Sequence, residues 1–128
     1  MMSFLPALLV AAFNGILFTQ SGLDKVLHYG GNLAYFKDHF KGSPLAPSVP
    51  LLLPAITLME VSAGLLSLGG VAFFLLNGQK DIGHWGQAMA AISLLSLFFG
   101  QRVAKDYAGA ASLAPYFLVA VMGVWLWG

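Results

Sequence analysis

The sequence predicts an all-α membrane protein: a four-transmembrane-helix antiparallel bundle, with a short interfacial amphipathic helix between the first and second spans. Three observations carry this. Hydrophobic residues make up 59% of the chain and charged residues 9%, against roughly 45–50% and 25% in soluble domains. A chain this small cannot cover that much apolar surface with water-facing side chains, so lipid is its solvent. The apolar residues also fall into four long unbroken runs, not the short segments of alternating polarity that a membrane β-barrel shows. Finally, each run supplies the ~20 residues that a helix needs to cross a ~30 Å hydrocarbon core. One domain, residues 1–128, accounts for the whole chain.

The first span is expected from about Phe4 to Leu23, interrupted by Asn14, Thr19 and Gln20. No Lys or Arg precedes it, so it reads as a retained span and not a cleaved leader. The connection that follows, Asp24 to Ser48, is long enough to hold structure of its own. Within it Leu33, Phe36 and Phe40 fall at i, i+3 and i+7, with Lys37, Asp38 and Lys41 elsewhere around the turn. That spacing predicts a helix lying at the membrane interface, ended by Gly42-Ser43-Pro44. The second span, about Val49 to Asn77, carries Pro50 and Pro54 in its opening turns, where a missing N–H is tolerated. The third runs from about Gly83 to Gln101 and the fourth from about Ala110 to Trp127, both after short connections that imply antiparallel neighbours. Small residues four apart (Ala63 and Ser67, Ser96 and Gly100, Ala110 and Ala114) are candidate sites of close helix contact.

Basic residues predict the orientation. The first and third connections together hold Lys25, Lys37, Lys41, Arg102 and Lys105, whereas the opposite side holds Lys80. The positive-inside rule puts the first set in the cytoplasm and both termini outside. Trp85, Trp125 and Trp127 then fall on the outer side, as an aromatic belt.

Composition also excludes function classes. A net charge of +1 and the lack of any basic run give no footprint for nucleic acid, and zero cysteines remove thiol chemistry and thiolate metal sites. His28, His39 and His84 are not paired at i, i+4 within a span, which argues against a haem or di-metal site made by this chain. Hydroxyl residues in the spans lack a nearby histidine base, which argues against a hydrolytic triad.

The charges within the spans need an explanation. Glu60 sits far from either end of the second span, and an ionised group near the bilayer centre costs about 2.5–3.5 kcal/mol on insertion scales. It is therefore expected to face the bundle interior, either paired with a cation or carrying a proton. Asp24 and Lys25 close the first span and Arg102 the third, on the side where the second span begins. Lys25 and Arg102 are the candidate partners, although each would have to reach inward across much of the ~16 Å that eleven helical residues span. Gln20 and Asn14 are neutral rivals at better depth. A functional carboxylate and a structural charge that locks helices together are equally open readings.

These features resemble the DoxX-like family of small four-span membrane proteins. The resemblance lies in Phe18-Thr19-Gln20-Ser21-Gly22-Leu23-Asp24-Lys25, in Tyr35-Phe36 followed by Gly42 and Pro44, and in Glu60 with Gly64 and Gly69. Asn14 and Lys80 stand where members of that family commonly carry arginines. The resemblance implies a small accessory or assembly subunit of a membrane-bound, quinone-linked oxidoreductase complex, resident in the inner (cytoplasmic) membrane. In that reading Leu33, Phe36 and Phe40 form a surface for other subunits, a shared pocket holds quinone or lipid, and the chain alone binds no cofactor. The alternative is a proton-coupled carrier of a small molecule, with Glu60 as the coupling carboxylate.

Overall fold

The computed structural model describes residues 2–128, and all four apolar runs are helical. In chain order the helices are α1 (Leu5–Leu27), α2 (Tyr29–His39), α3 (Val49–Asn77), α4 (Asp81–Val103), α5 (Tyr107–Ser112) and α6 (Ala114–Trp127). α1, α3 and α4 are one span each, and α5 and α6 together make the fourth. The chain is an all-α, four-span membrane protein, with α2 as the short helix between the first two spans.

Two boundaries differ from the sequence expectation. α1 continues about one turn past Leu23 and takes Asp24 and Lys25 into the helix. The fourth span starts at Tyr107, ahead of Ala110, because the Asp106 carboxylate accepts from the Gly109 backbone N–H at 2.9 Å and so caps the helix start. That span is then broken at Leu113. Pro115 has no N–H for the preceding turn and its ring crowds it, so the helix restarts with Pro115 in the new first turn.

The spans close into a ring in which α3 lies between α1 and α4, and α6 packs on α4 and back onto α1. Small side chains dominate the centre: Ala63, Ala90 and Ala120 around Phe18 and Leu94. Large apolar side chains point outward instead, among them Leu76, Leu51 and Leu58. This is the distribution expected when lipid, and not the protein interior, solvates the bulky groups. Trp85 and Trp125 are also outward-facing, as in an aromatic belt, but Trp127 is not. It is 2% exposed, donates its indole N–H to the Ala7 carbonyl at 2.9 Å and meets the Phe4 ring edge-on. Trp127 plugs the end of the bundle, a role that its sequence position beside Trp125 does not reveal.

Two glycines set how α1 and α3 pass each other. A Cβ on Gly22 would stand 2.9 Å from the Val61 backbone nitrogen, and one on Gly64 would collide with the Thr19 backbone. Only glycine permits so close an approach. The resulting antiparallel register brings Gly22 level with Val61 and Gly15 level with Leu68, and so Leu27 level with Ile56. The first two turns of α3, ~10 Å of helix, therefore overhang the end of α1, and α2 folds into that corner.

Candidate functional site

Three polar assemblies sit within or beside the bundle, and the α1–α3 register explains the first. Glu60 is 2% exposed and faces α1. Lys25 Nζ lies 2.8 Å from its Oε1, and the Ser21 hydroxyl donates to its Oε2 at 2.7 Å. The Lys25 ammonium also donates to the Ser21 oxygen at 3.1 Å, closing a triangle. The Lys25 approach to Oε1 lies off the ideal hydrogen-bond direction, so this contact is chiefly Coulombic. Because α3 overhangs α1, Glu60 is only about one turn deeper than the end of α1. The overhang takes up ~10 Å of the ~16 Å that seemed to separate it from Lys25, and the Lys25 side chain spans the rest. Ser21, one α-helical turn from Lys25, has no charge to draw notice in the sequence.

Of the other expected members of this cluster, none joins it. Arg102 faces outward, its guanidinium stacked 4.5 Å from the centre of the Tyr107 ring. Asp24 is exposed and pairs locally, 3.4 Å from His28 Nδ1, while accepting from the Asn32 amide at 3.3 Å. Gln20 points outward from α1. Asn14 is fully buried but belongs to the second assembly. It donates to Gln87 Oε1 at 2.6 Å, and Gln87 donates to Ser67 Oγ at 3.1 Å. Asn14, Gln87 and Ser67 thus form the deep polar network of the bundle and tie α1, α4 and α3 together near mid-membrane. The sequence signal for it was Gln87, an amide in the interior of the third span, whereas Gln101 stands at that span's end.

The third assembly edges a cavity. α2, the overhanging start of α3 and the end of α4 enclose an apolar groove of about 640 Å³, lined by Phe36, Phe40, Leu53, Ile56, Met59 and Leu95 among others. Gly100 leaves room for the Phe40 ring. Phe36 and Phe40 are half-buried and form the roof; Leu33 is half-buried as well but does not line the groove. Ser96 and Gln101 supply its polar atoms. His39 Nε2 and Gln101 Oε1 lie 2.6 Å apart, a hydrogen bond in which the ring donates when its proton sits on that nitrogen. The same nitrogen lies 3.6 Å from the Asp106 carboxylate that caps α5. His39, Gln101 and Asp106 thus join the interfacial helix to the α4–α5 corner at the groove's polar edge. Their separation in sequence hid this, and no spacing rule links residue 39 to residue 101.

Chemically, the groove can take a long apolar chain with a head group that hydrogen-bonds at Gln101. The Lys25–Glu60 pair holds two helices together; neither residue lines the groove. Among the described residues no group of three or more His, Cys, Asp or Glu is placed to hold a metal ion. The chain matches no family model, no curated protein and no solved structure.

Proposed function

We propose that this chain is a small accessory or assembly subunit of a membrane-bound, quinone-linked oxidoreductase complex, and that the groove beneath α2 receives the tail of a membrane-soluble quinone or lipid. The groove carries this reading. Its volume falls within the roughly 300–1,000 Å³ of small-molecule sites, and its apolar lining broken by few polar groups is their usual character. Gln101 at one edge, steadied by His39, offers a hydrogen bond to a polar head. In such a complex the electron chemistry resides on cofactors that other subunits bind, and this chain contributes binding and orientation. The exposed side of α2, with Tyr35, Lys37 and Asp38, is the surface offered to those subunits.

The inner membrane and a cytoplasmic face for α2 belong to the same proposal. Lys25 is buried in its ion pair and drops out of the orientation count. Lys37, Lys41, Arg102 and Lys105 remain exposed on one side against Lys80 on the other, so the positive-inside argument stands without it. A proton-coupled carrier is less well supported, because Lys25 and Ser21 already engage the Glu60 carboxylate and the groove does not reach it.

Purification in a gentle detergent, with identification of the co-purifying proteins and extractable lipids, tests the proposal. The expected result is a larger assembly that contains a redox subunit. Robust substrate transport by the isolated chain in vesicles, abolished by Glu60→Gln without loss of folding, would establish the carrier instead.

A further inference from the structure

The outer face of α1 carries a pattern that neither the ion pair nor the groove uses. Leu9, Phe13, Ile16, Gln20, Leu23 and Leu27 follow one another at alternating steps of four and three, and all six are exposed. α1 packs against α3 and α6 mainly with its other sides; of the six, Phe13 reaches α6, its ring stacked 6.2 Å from that of Tyr116. Alternation of four and three is the seam of two helices that pack knobs into holes at a shallow crossing angle. Leucines alone are a weak cause of association in lipid, since the acyl tails are just as apolar.

Gln20 is what separates this face from an ordinary lipid-facing one. Its amide lies one turn before the exposed Asp24, ~6 Å inside that end of the span by helix rise, and takes part in no side-chain hydrogen bond among the described residues. An amide held in hydrocarbon without a partner is costly, so a partner is expected to reach it there. A shallow hollow of about 550 Å³ opens beside it, lined by Leu17, Leu23 and Leu27 and, toward the end of α1, by Ser21, Asp24 and His28.

We propose that this face binds a second copy of the chain, through a parallel α1–α1 seam in which the two Gln20 side chains hydrogen-bond across a two-fold axis. A two-fold axis along the membrane normal keeps every residue at its own depth, so Gln20 meets Gln20. A carboxamide is donor and acceptor at once and therefore complements its own image. A different helix would have to bring its own polar group to the same depth, whereas the second copy does so by symmetry.

The chain has no cysteine, so single cysteines report contacts cleanly. Ile16→Cys and Leu23→Cys lie on the seam; Leu65→Cys and Leu118→Cys are equally outward-facing on other helices. Treated with a short bis-maleimide in native membranes, the two seam variants are expected to give a product of twice the 13.6 kDa chain mass, and the other two little or none. In the Ile16→Cys background, Gln20→Leu should lower that yield roughly tenfold, the change expected for one interhelical amide pair, and Gln20→Asn should largely retain it. Thermal unfolding in detergent should be unchanged by Gln20→Leu, which separates loss of the seam from loss of the fold. Equal yields from all four positions, a cross-linked product of some other mass, or a yield indifferent to Gln20→Leu would each overturn the proposal.

Discussion

At the scale of residues, the molecule keeps its charge inside the membrane by pairing it. Removing one member of the Lys25–Glu60 pair leaves the other buried without compensation, and breaking a buried pair in this way costs roughly 3–5 kcal/mol. Lys25→Met and Glu60→Gln are each expected to lower stability by about that much, and the double substitution to recover most of the loss, because neither charge is then stranded. Unfolding in detergent micelles, run as a double-mutant cycle, checks this; additive losses would mean that the two residues do not act as a pair. The sequence showed that Glu60 needed a partner and that Lys25 was a candidate. It did not rank Lys25 above Arg102, Gln20 or Asn14, because the ranking depends on helix register. That register comes from backbone contacts at Gly22 and Gly64, which no hydrophobic pattern encodes. Gln20 faces outward on α1, and Asn14 reaches α4 because Gln87 stands at its depth.

At the scale of elements, close approach of α1 and α3 is what makes the site. A side chain on Gly64 would drive into the Thr19 backbone, whereas Gly69, five residues on and on a different face of the same helix, has open space where its Cβ would be. Gly64→Val should therefore destabilise the bundle by roughly 1–3 kcal/mol, as overpacking does, and Gly69→Ala should leave it near neutral. Thermal unfolding of the two variants side by side decides the matter; equal effects would remove the register argument. Element type was legible throughout, since long apolar runs have few solutions in lipid. The ends were less so. The start of the fourth span depends on the Asp106 cap and its break on Pro115, and both are local features within an apolar run that reads as continuous. Of the small-residue pairs, Ala63 and Ser67 are fully buried at a helix contact, while Ser96 is exposed along the groove. Spacing alone did not separate the two.

At the scale of the whole molecule, helices of unequal reach create the cavity. α3 overhangs α1, α4 runs alongside that overhang, and α2 roofs the corner with Phe36 and Phe40. The roof is tied down through His39 and Gln101. The account rests on the groove being a site for a membrane-soluble molecule, not a dent filled by passing lipid. The most direct measurement is native mass spectrometry of the purified chain, with extraction of bound molecules, for the natural protein, for Ile56→Trp in the groove wall and for Leu118→Trp on the outer face of α6. The account predicts a defined quinone or lipid retained by the natural protein and by Leu118→Trp, and lost from Ile56→Trp while the fold persists. Equal retention by all three, or only a heterogeneous mixture that mirrors the bulk membrane, would contradict it.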